Sequence, residues 1–182
     1  CIIDLYKDTH IILVASALSG VTNMLLEAIE KCVNRTTPVK EIIREIKRIH
    51  LKVSKNVIKN EADAQESREF IKELAEKLEH TLYEIWEHGI IPRLRDFVVA
   101  FGERFSTSIL YFFLKSKGYN VRFLQADELI VTDNNYTNAL PKLKKTERLV
   151  KEKVTPLLDE GSMPVITGFL ARSEEGYVTT LG

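Results

Sequence analysis

Cysteine is scarce in this sequence, net charge is absent and no apolar run is long. Cys1 and Cys32 are the only cysteines in 182 residues. Neither belongs to a CxxC pair or a Cys/His cluster, which argues against a structural zinc site. Such usage suits a reducing compartment, and a cytoplasmic location is expected. The histidines His10, His50, His80 and His88 fall at no ligand spacing and read as structural or surface residues, so no metal site is expected. Lys and Arg number 26 and are balanced by 26 Asp and Glu, which argues against nucleic acid as the main partner. No apolar run approaches the ~20 residues needed to cross a bilayer, and no basic-then-apolar signal peptide is visible. No membrane partner is expected. A P-loop, a nucleophile elbow and a GxGxxG turn are all missing. There is no initiator Met, and the chain stops at Leu181-Gly182, so a fragment is expected.

What is present alternates between strand-like and helix-like segments. His10 to Val14 is a short apolar run, as expected of a strand buried on both faces of a parallel sheet. A small-residue turn, Ala15 to Gly20, leads into a helix over 20–32, the opening of a βα unit. Residues 38–59 read as a long amphipathic helix with Thr37 as N-cap and Pro38 at its first position. Its apolar stripe is Val39, Ile42, Ile43, Ile46, Ile49, Val53 and Val57. A second long helix, 64–87, carries Ile71, Leu74, Ala75, Leu78, Leu82, Ile85 and Trp86, and ends at Gly89 and Pro92. Between Lys40 and Lys59, seven Lys/Arg face two Asp/Glu; between Glu61 and Glu87, nine Asp/Glu face three Lys/Arg. This predicts a helical hairpin, about 38–88, whose flanks attract each other.

Downstream, 94–117 is helical in two pieces meeting at Gly102. Strands follow at 119–124 and 129–132, then a turn at 133–135 and a helix over 141–159. A strand at 163–167 leads into a hairpin between Phe169 and Val178. Alternation in this order predicts an α/β fold of three layers, α/β/α, around a mostly parallel sheet, with the long helical hairpin inserted.

Three stretches could carry chemistry. In an α/β sheet, ligands gather where strand carboxyl ends meet helix N-termini, and such a terminus accepts phosphate or carboxylate. Ser16, Ser19, Gly20 and Thr22 lie at such a place, the turn Ser19-Gly20 being a candidate anion site. The plain alternative is that Ser19 only caps the helix. In "FGERFSTSILYFF", residues 101–113, Glu103 and Arg104 interrupt an apolar helix. They form an internal salt bridge or a solvated edge, or Glu103 faces a cleft and binds a cation such as an ammonium group. The third stretch, "VITGFLARSEEGYVTTLG", places Gly168 and later Thr179, Thr180 and Gly182 around a hairpin.

In their order and spacing these stretches resemble the aspartate kinases of the amino-acid kinase family. The quoted residues are Ser16-Ala17-Leu18-Ser19-Gly20-Val21-Thr22-Asn23, then Gly102-Glu103-Arg104-Phe105-Ser106, then Gly168-Phe169-Leu170 with Thr179-Thr180-Leu181-Gly182. The resemblance implies an amino-acid-kinase-like fold over 1–182 and transfer of the ATP γ-phosphate, with Mg2+, to the side-chain carboxylate of L-aspartate. The product would be 4-phospho-L-aspartate, on the way to lysine, threonine and methionine. It implies that Thr22, with Ser16 close by, contacts the aspartate side chain and that Glu103 pairs with the α-ammonium. The family's Lys-x-Gly-Gly stretch, its Arg-Gly-Gly-Ser-Asp run, its ATP-binding half and its ACT regulatory domains are not found. The chain therefore corresponds to the aspartate-binding lobe, without a catalytic residue, and is expected to be inactive alone; a homo-oligomer is possible. Another amino-acid kinase, or a non-catalytic helical interaction module built on 38–88, are the alternative readings.

Overall fold

The computed structural model describes residues 9–181 together with Ile3 and Tyr6. Cys1 and Gly182 lie outside the described residues. Helices α2 (Val39–Val57) and α3 (Glu61–His88) form the hairpin that the apolar stripes predict. Asn60 caps α3 by accepting the Asp63 N–H at 3.1 Å, and Gly89, at φ 85°, closes it. Thr37 does not cap α2. Pro38 occupies that position in an extended conformation, φ −56° and ψ 136°, and the helix begins one residue later than expected.

The force joining the two helices is also not the expected one. Among the described residues no ion pair links α2 to α3. Arg48 pairs with Glu45 on its own helix, while Asp63 and Glu66 reach Lys115. Ile42, Ile43, Ile46, Ile71, Leu74, Leu78, Leu82 and Ile85 are buried in one apolar cluster, and Ser54 and Ser67 share a 2.8 Å hydrogen bond. Fully burying one such side chain contributes about 1.5–3 kcal/mol, whereas an exposed ion pair contributes about 0–1 kcal/mol. Burial wins, and apart from Asp63, which is buried, the charges stay on the solvated faces.

Helix α1 (Val21–Val33) packs Val21, Leu25, Ala28, Ile29 and Cys32 into the same cluster. Helices α4 (Pro92–Val99) and α5 (Phe101–Ser116) follow. They meet at Ala100, not at Gly102, which lies inside the first turn of α5. Taken as one stretch, Pro92–Ser116 is long and apolar enough to cross a bilayer, despite having no uninterrupted apolar run. In the fold 78% of its apolar window is buried, which makes it a core helix pair.

His50 sits in that core, 0% exposed, with its ring stacked on Phe105 at 4.4 Å. Its Nδ1 donates to the Ile46 carbonyl at 2.7 Å, and its Nε2 has no partner. Burial holds its pKa below the ordinary imidazole value of 6.5. The unfolded chain therefore takes up this proton more readily than the folded one. The stability contributed by neutral His50 is full above pH ~6.5 and is lost as pH falls below it. Urea unfolding at pH 7.5 and pH 5.0 should show this loss in the wild type, and a smaller one in His50→Gln.

The strands form two sheets instead of one. Strands β1 (Leu13–Ala15), β2 (Val121–Leu124) and β4 (Met163–Thr167) make a parallel sheet in the order β1-β4-β2, with Leu13 and Phe123 both opposite Val165. Strands β3 (Val131–Thr132), β5 (Leu170–Ser173) and β6 (Val178–Thr180) make a second, mixed sheet, in which β5 and β6 are the expected antiparallel hairpin. The predicted helix 141–159 is two, α6 (Leu143–Lys153) and α7 (Thr155–Asp159), broken at Val154. Pro156 has no N–H to continue the ladder. Helix α5 covers one face of the parallel sheet, and Val150, Val154 and Leu158 cover the other at Ile166 and Leu124. This is the expected helix-sheet-helix layering. It stops short of β1, an edge strand: Leu13 packs inward, but Val14 is 67% exposed, so the strand is not buried on both faces.

Candidate active site

β1 ends at Ala15, and the turn that follows is open. Gly20 has φ 81° and occupies the N-cap position of α1 with no side-chain cap. Ser19 is exposed and does not cap, which removes the plain reading of that serine. A side chain at Gly20 would meet nothing within 4 Å, so the glycine serves the left-handed backbone, and open space lies over the turn. The first amide of α1, that of Val21, turns back to the Leu18 carbonyl at 3.0 Å, which leaves the Thr22 and Asn23 amides at the positive end of the helix dipole. Thr22 stands half-buried in this first turn, and Ser16 is exposed before it.

The first turns of α5 press against this segment. Ser106 Oγ donates to the Ser16 carbonyl at 2.7 Å, and Thr107 Oγ1 to the Ala15 carbonyl at 3.3 Å. Gly102 permits the approach, because a Cβ there would fall 2.8 Å from the Ala17 Cβ. Gly102→Ala forces two rigid carbons apart. A loss of about 1–3 kcal/mol, typical of overpacking, is expected in the urea unfolding free energy.

In the first turn of α5, Glu103 is 4% exposed. Its Oε1 accepts the Ala17 N–H at 3.2 Å, and its Oε2 is buried with no partner. Burial pushes its pKa above the usual carboxylate value, with backbone N–H groups, including that of Ala17, pulling it back. Arg104 does not neutralise it. The Arg104 guanidinium reaches Asp127 at 3.0 Å and lies over the rings of Phe97 and Phe101. Glu103 is therefore neither half of an internal salt bridge with its neighbour nor a solvated edge.

The end of β4 completes the site. The Gly168 N–H donates to the Ala15 carbonyl at 2.8 Å. A Cβ at Gly168 would sit 3.1 Å from that same oxygen. Phe169 follows in a left-handed conformation, φ 60°, with the Leu170 N–H donating to the Gly168 carbonyl at 2.7 Å. That is a γ-turn centred on a bulky side chain, a strained arrangement of the kind found at functional sites. Ser16, Ser19, Gly20, Thr22, Glu103 and Phe169 thus gather at the carboxyl edge of the parallel sheet. Thr179 does not join them, since its hydroxyl is used in a buried 2.8 Å bond to Thr132.

The model described as the Amino acid kinase family matches residues 1–182. The chain belongs to the amino acid kinase family. Among its relatives, Aspartokinase 3, chloroplastic, of Arabidopsis thaliana is 32% identical over 183 residues, covering 97% of this chain and 32% of that protein. The aspartokinase of Chlamydia pneumoniae is 27% identical over 176 residues, covering 97% of this chain and 36% of its own length. The chain thus spans about a third of the length of these amino acid kinases. Its fold matches E. coli aspartokinase III in complex with aspartate and ADP, with a TM-score of 0.82 at 23% identity, over 98% of this chain and 39% of that one. The aspartate kinase of Clostridium acetobutylicum matches with a TM-score of 0.68 at 23% identity, over 100% of this chain and 36% of that one.

Two residues in and around this candidate site escape a reading of the sequence as catalytic chemistry. Phe169 is quoted in the motif, but its γ-turn has no local signature beyond the preceding glycine. Asp96, fully buried in α4, follows Arg95 and looks like a solvated helix residue until its partners are seen.

Proposed function

We propose that this chain is the amino-acid-binding part of an aspartate kinase. The observation that carries the reading is the buried, unpartnered Oε2 of Glu103 beside the uncapped N-terminus of α1. A buried carboxylate with a free oxygen selects a cation able to donate a hydrogen bond, and the α-ammonium of an amino acid meets that need. A few residues away, the Thr22 and Asn23 amides and the hydroxyls of Thr22 and Ser16 suit an anion, and the side-chain carboxylate of L-aspartate is one. The Ser19-Gly20 turn leaves room for a second anion, the phosphoryl group in transit. Opposite charges at the two ends of the substrate fix its orientation, which is the main demand of phosphoryl transfer. An oxygen of the β-carboxylate then attacks the γ-phosphorus of ATP, the bond to ADP breaks, and 4-phospho-L-aspartate forms. Such a product would feed lysine, threonine and methionine synthesis. Among the described residues no group of three or more His, Cys, Asp or Glu converges to hold a metal, and no step is derived through Mg2+.

Two other readings are weaker. A different amino-acid substrate is disfavoured by the Gly102-Glu103-Arg104 motif with the long α2–α3 insertion, and by relatives that carry the aspartokinase name. A helical interaction module would need an unpartnered apolar face on α2 or α3. Their stripes are spent in the chain's own core.

The test is ADP release from MgATP and L-aspartate, with hydroxylamine trapping the acyl phosphate. It is run on these 182 residues and on a protein of the relatives' full length carrying them. Hydroxamate formation by the longer protein alone is the expected result. Its absence there, with the protein folded, would overturn the reading.

A further inference from the structure

Asp96 is a carboxylate that the proposed chemistry does not use. It lies in α4 and is 0% exposed. Its Oδ2 accepts two backbone N–H groups from remote segments, Thr137 at 2.8 Å and Thr180 at 2.9 Å. Its Oδ1 has no hydrogen-bond partner, and the nearest cation, Arg95, stands 3.8 Å away. Burying a carboxylate is costly unless its hydrogen bonds are fixed, so what those bonds hold is informative.

Both amides belong to segments that lead to the site. Thr137 has φ 72°, a left-handed conformation that a β-branched residue resists, in an exposed loop. Two residues on, the Ala139 N–H donates to the Thr180 carbonyl at 3.0 Å, joining that loop to β6. Thr180 ends β6, and the next residue, Leu181, donates its N–H to the Phe169 carbonyl at 3.0 Å. Phe169 is the centre of the γ-turn whose Gly168 is fastened to Ala15, one residue before Ser16. A continuous path of backbone bonds therefore runs from Asp96, through Thr180 and Leu181, to the Phe169 turn and the end of β1. Asp96 itself stands one helical segment upstream of Glu103.

We propose that Asp96 is a positioning residue of the amino-acid subsite, holding the Phe169 turn and the 133–140 loop against the helix pair that carries Glu103. The inference rests on the reading of that site as one for L-aspartate. Asp96 touches no substrate. It acts by fixing where the opposite wall of the subsite stands.

Asp96→Ala removes both acceptors, whereas Asp96→Asn keeps one oxygen that accepts both amides. In the full-length kinase, Asp96→Ala should raise the KM for L-aspartate about tenfold and leave the KM for ATP within about twofold, the scale of a displaced positioning contact. Asp96→Asn should restore the KM for aspartate to within about threefold of wild type. A residue that served only overall stability would lower the active fraction, and so kcat, with both KM values unchanged; that result overturns the proposal. Should Asp96→Ala fail to fold, amide exchange in the wild-type chain decides. The Thr137 N–H, though in an exposed loop, should exchange far more slowly than that of its exposed neighbour Asn134. Equal exchange at the two overturns the clamp. Lack of wild-type activity with aspartate, together with a protected Thr137, would refute the substrate and leave the clamp standing.

Discussion

Glu103→Gln is expected to raise the KM for L-aspartate about 100-fold in the full-length protein, while the KM for ATP moves less than about twofold. A hydrogen bond to a charged group contributes about 1.5–3 kcal/mol, and the upper part of that range corresponds to roughly 100-fold. Glutamine preserves the shape and can still accept the Ala17 N–H, so the backbone of the turn stays in place. The negative charge at Oε2 is what disappears. The pH profile should change with it. Burial raises the Glu103 pKa above its usual 4.5, so its protonated form persists to higher pH than that of an exposed glutamate. Only the ionised form attracts an ammonium group. The apparent affinity for aspartate should therefore fall as pH is lowered into that raised range, and Glu103→Gln should abolish this dependence. Steady-state kinetics between pH 5 and pH 8 on both proteins check both points. An unchanged KM for aspartate in Glu103→Gln would remove Glu103 from the site.

Phe105→Ala should cost about 3–5 kcal/mol of folding free energy, the usual loss for a large aromatic in a core. Phe105 is 0% exposed, stacks on His50 at 4.4 Å and lies 6.0 Å from the Phe101 ring. Its removal unseats the α2–α3 hairpin from α5 two residues beyond Glu103. For a chain of this length the melting temperature should fall by about 10 °C. Calorimetry measures this directly, and a change below about 1 kcal/mol would mean that the surrounding helices collapse into the space. Site geometry and core stability are thus carried by successive residues of one helix. Gly102 meets Ala17, Glu103 binds the Ala17 N–H, Phe105 fills the core, and Ser106 returns to the Ser16 carbonyl.

Much of this architecture is legible in the sequence, because periodicity records which faces are buried. The stripes from Val39 and Ile71 onward place the hairpin, Gly89 and Pro92 mark where it stops, and Glu103 stands out as a charge in an apolar helix. Other features depend on partners far along the chain. An apolar run such as His10–Val14 does not say whether a neighbour will cover both faces, and Val14 is exposed because β1 lies at the sheet edge. The oppositely charged faces of α2 and α3 suggest attraction, yet the apolar seam sets their packing and, among the described residues, no ion pair joins them. Gly102 reads as a joint but serves a close approach to Ala17, 85 residues earlier, which no local pattern reveals. Asp96 is the clearest case. Its partners lie 41 and 84 residues away, and next to Arg95 it resembles half of a surface pair. The division into two sheets hangs on one γ-turn at Phe169, which a strand-length reading does not contain.

The central claim is that a carboxylate and an uncapped helix N-terminus together select an amino acid by its ammonium and its side-chain carboxylate. The most direct measurement compares L-aspartate with succinate, which keeps both carboxylates and lacks the ammonium, as phosphoryl acceptors for the full-length protein with hydroxylamine present. The account predicts hydroxamate from L-aspartate, kcat/KM for succinate at least about 100-fold lower, and a ratio that shrinks in Glu103→Gln. Equal use of the two acids, or a ratio that Glu103→Gln leaves untouched, would contradict it.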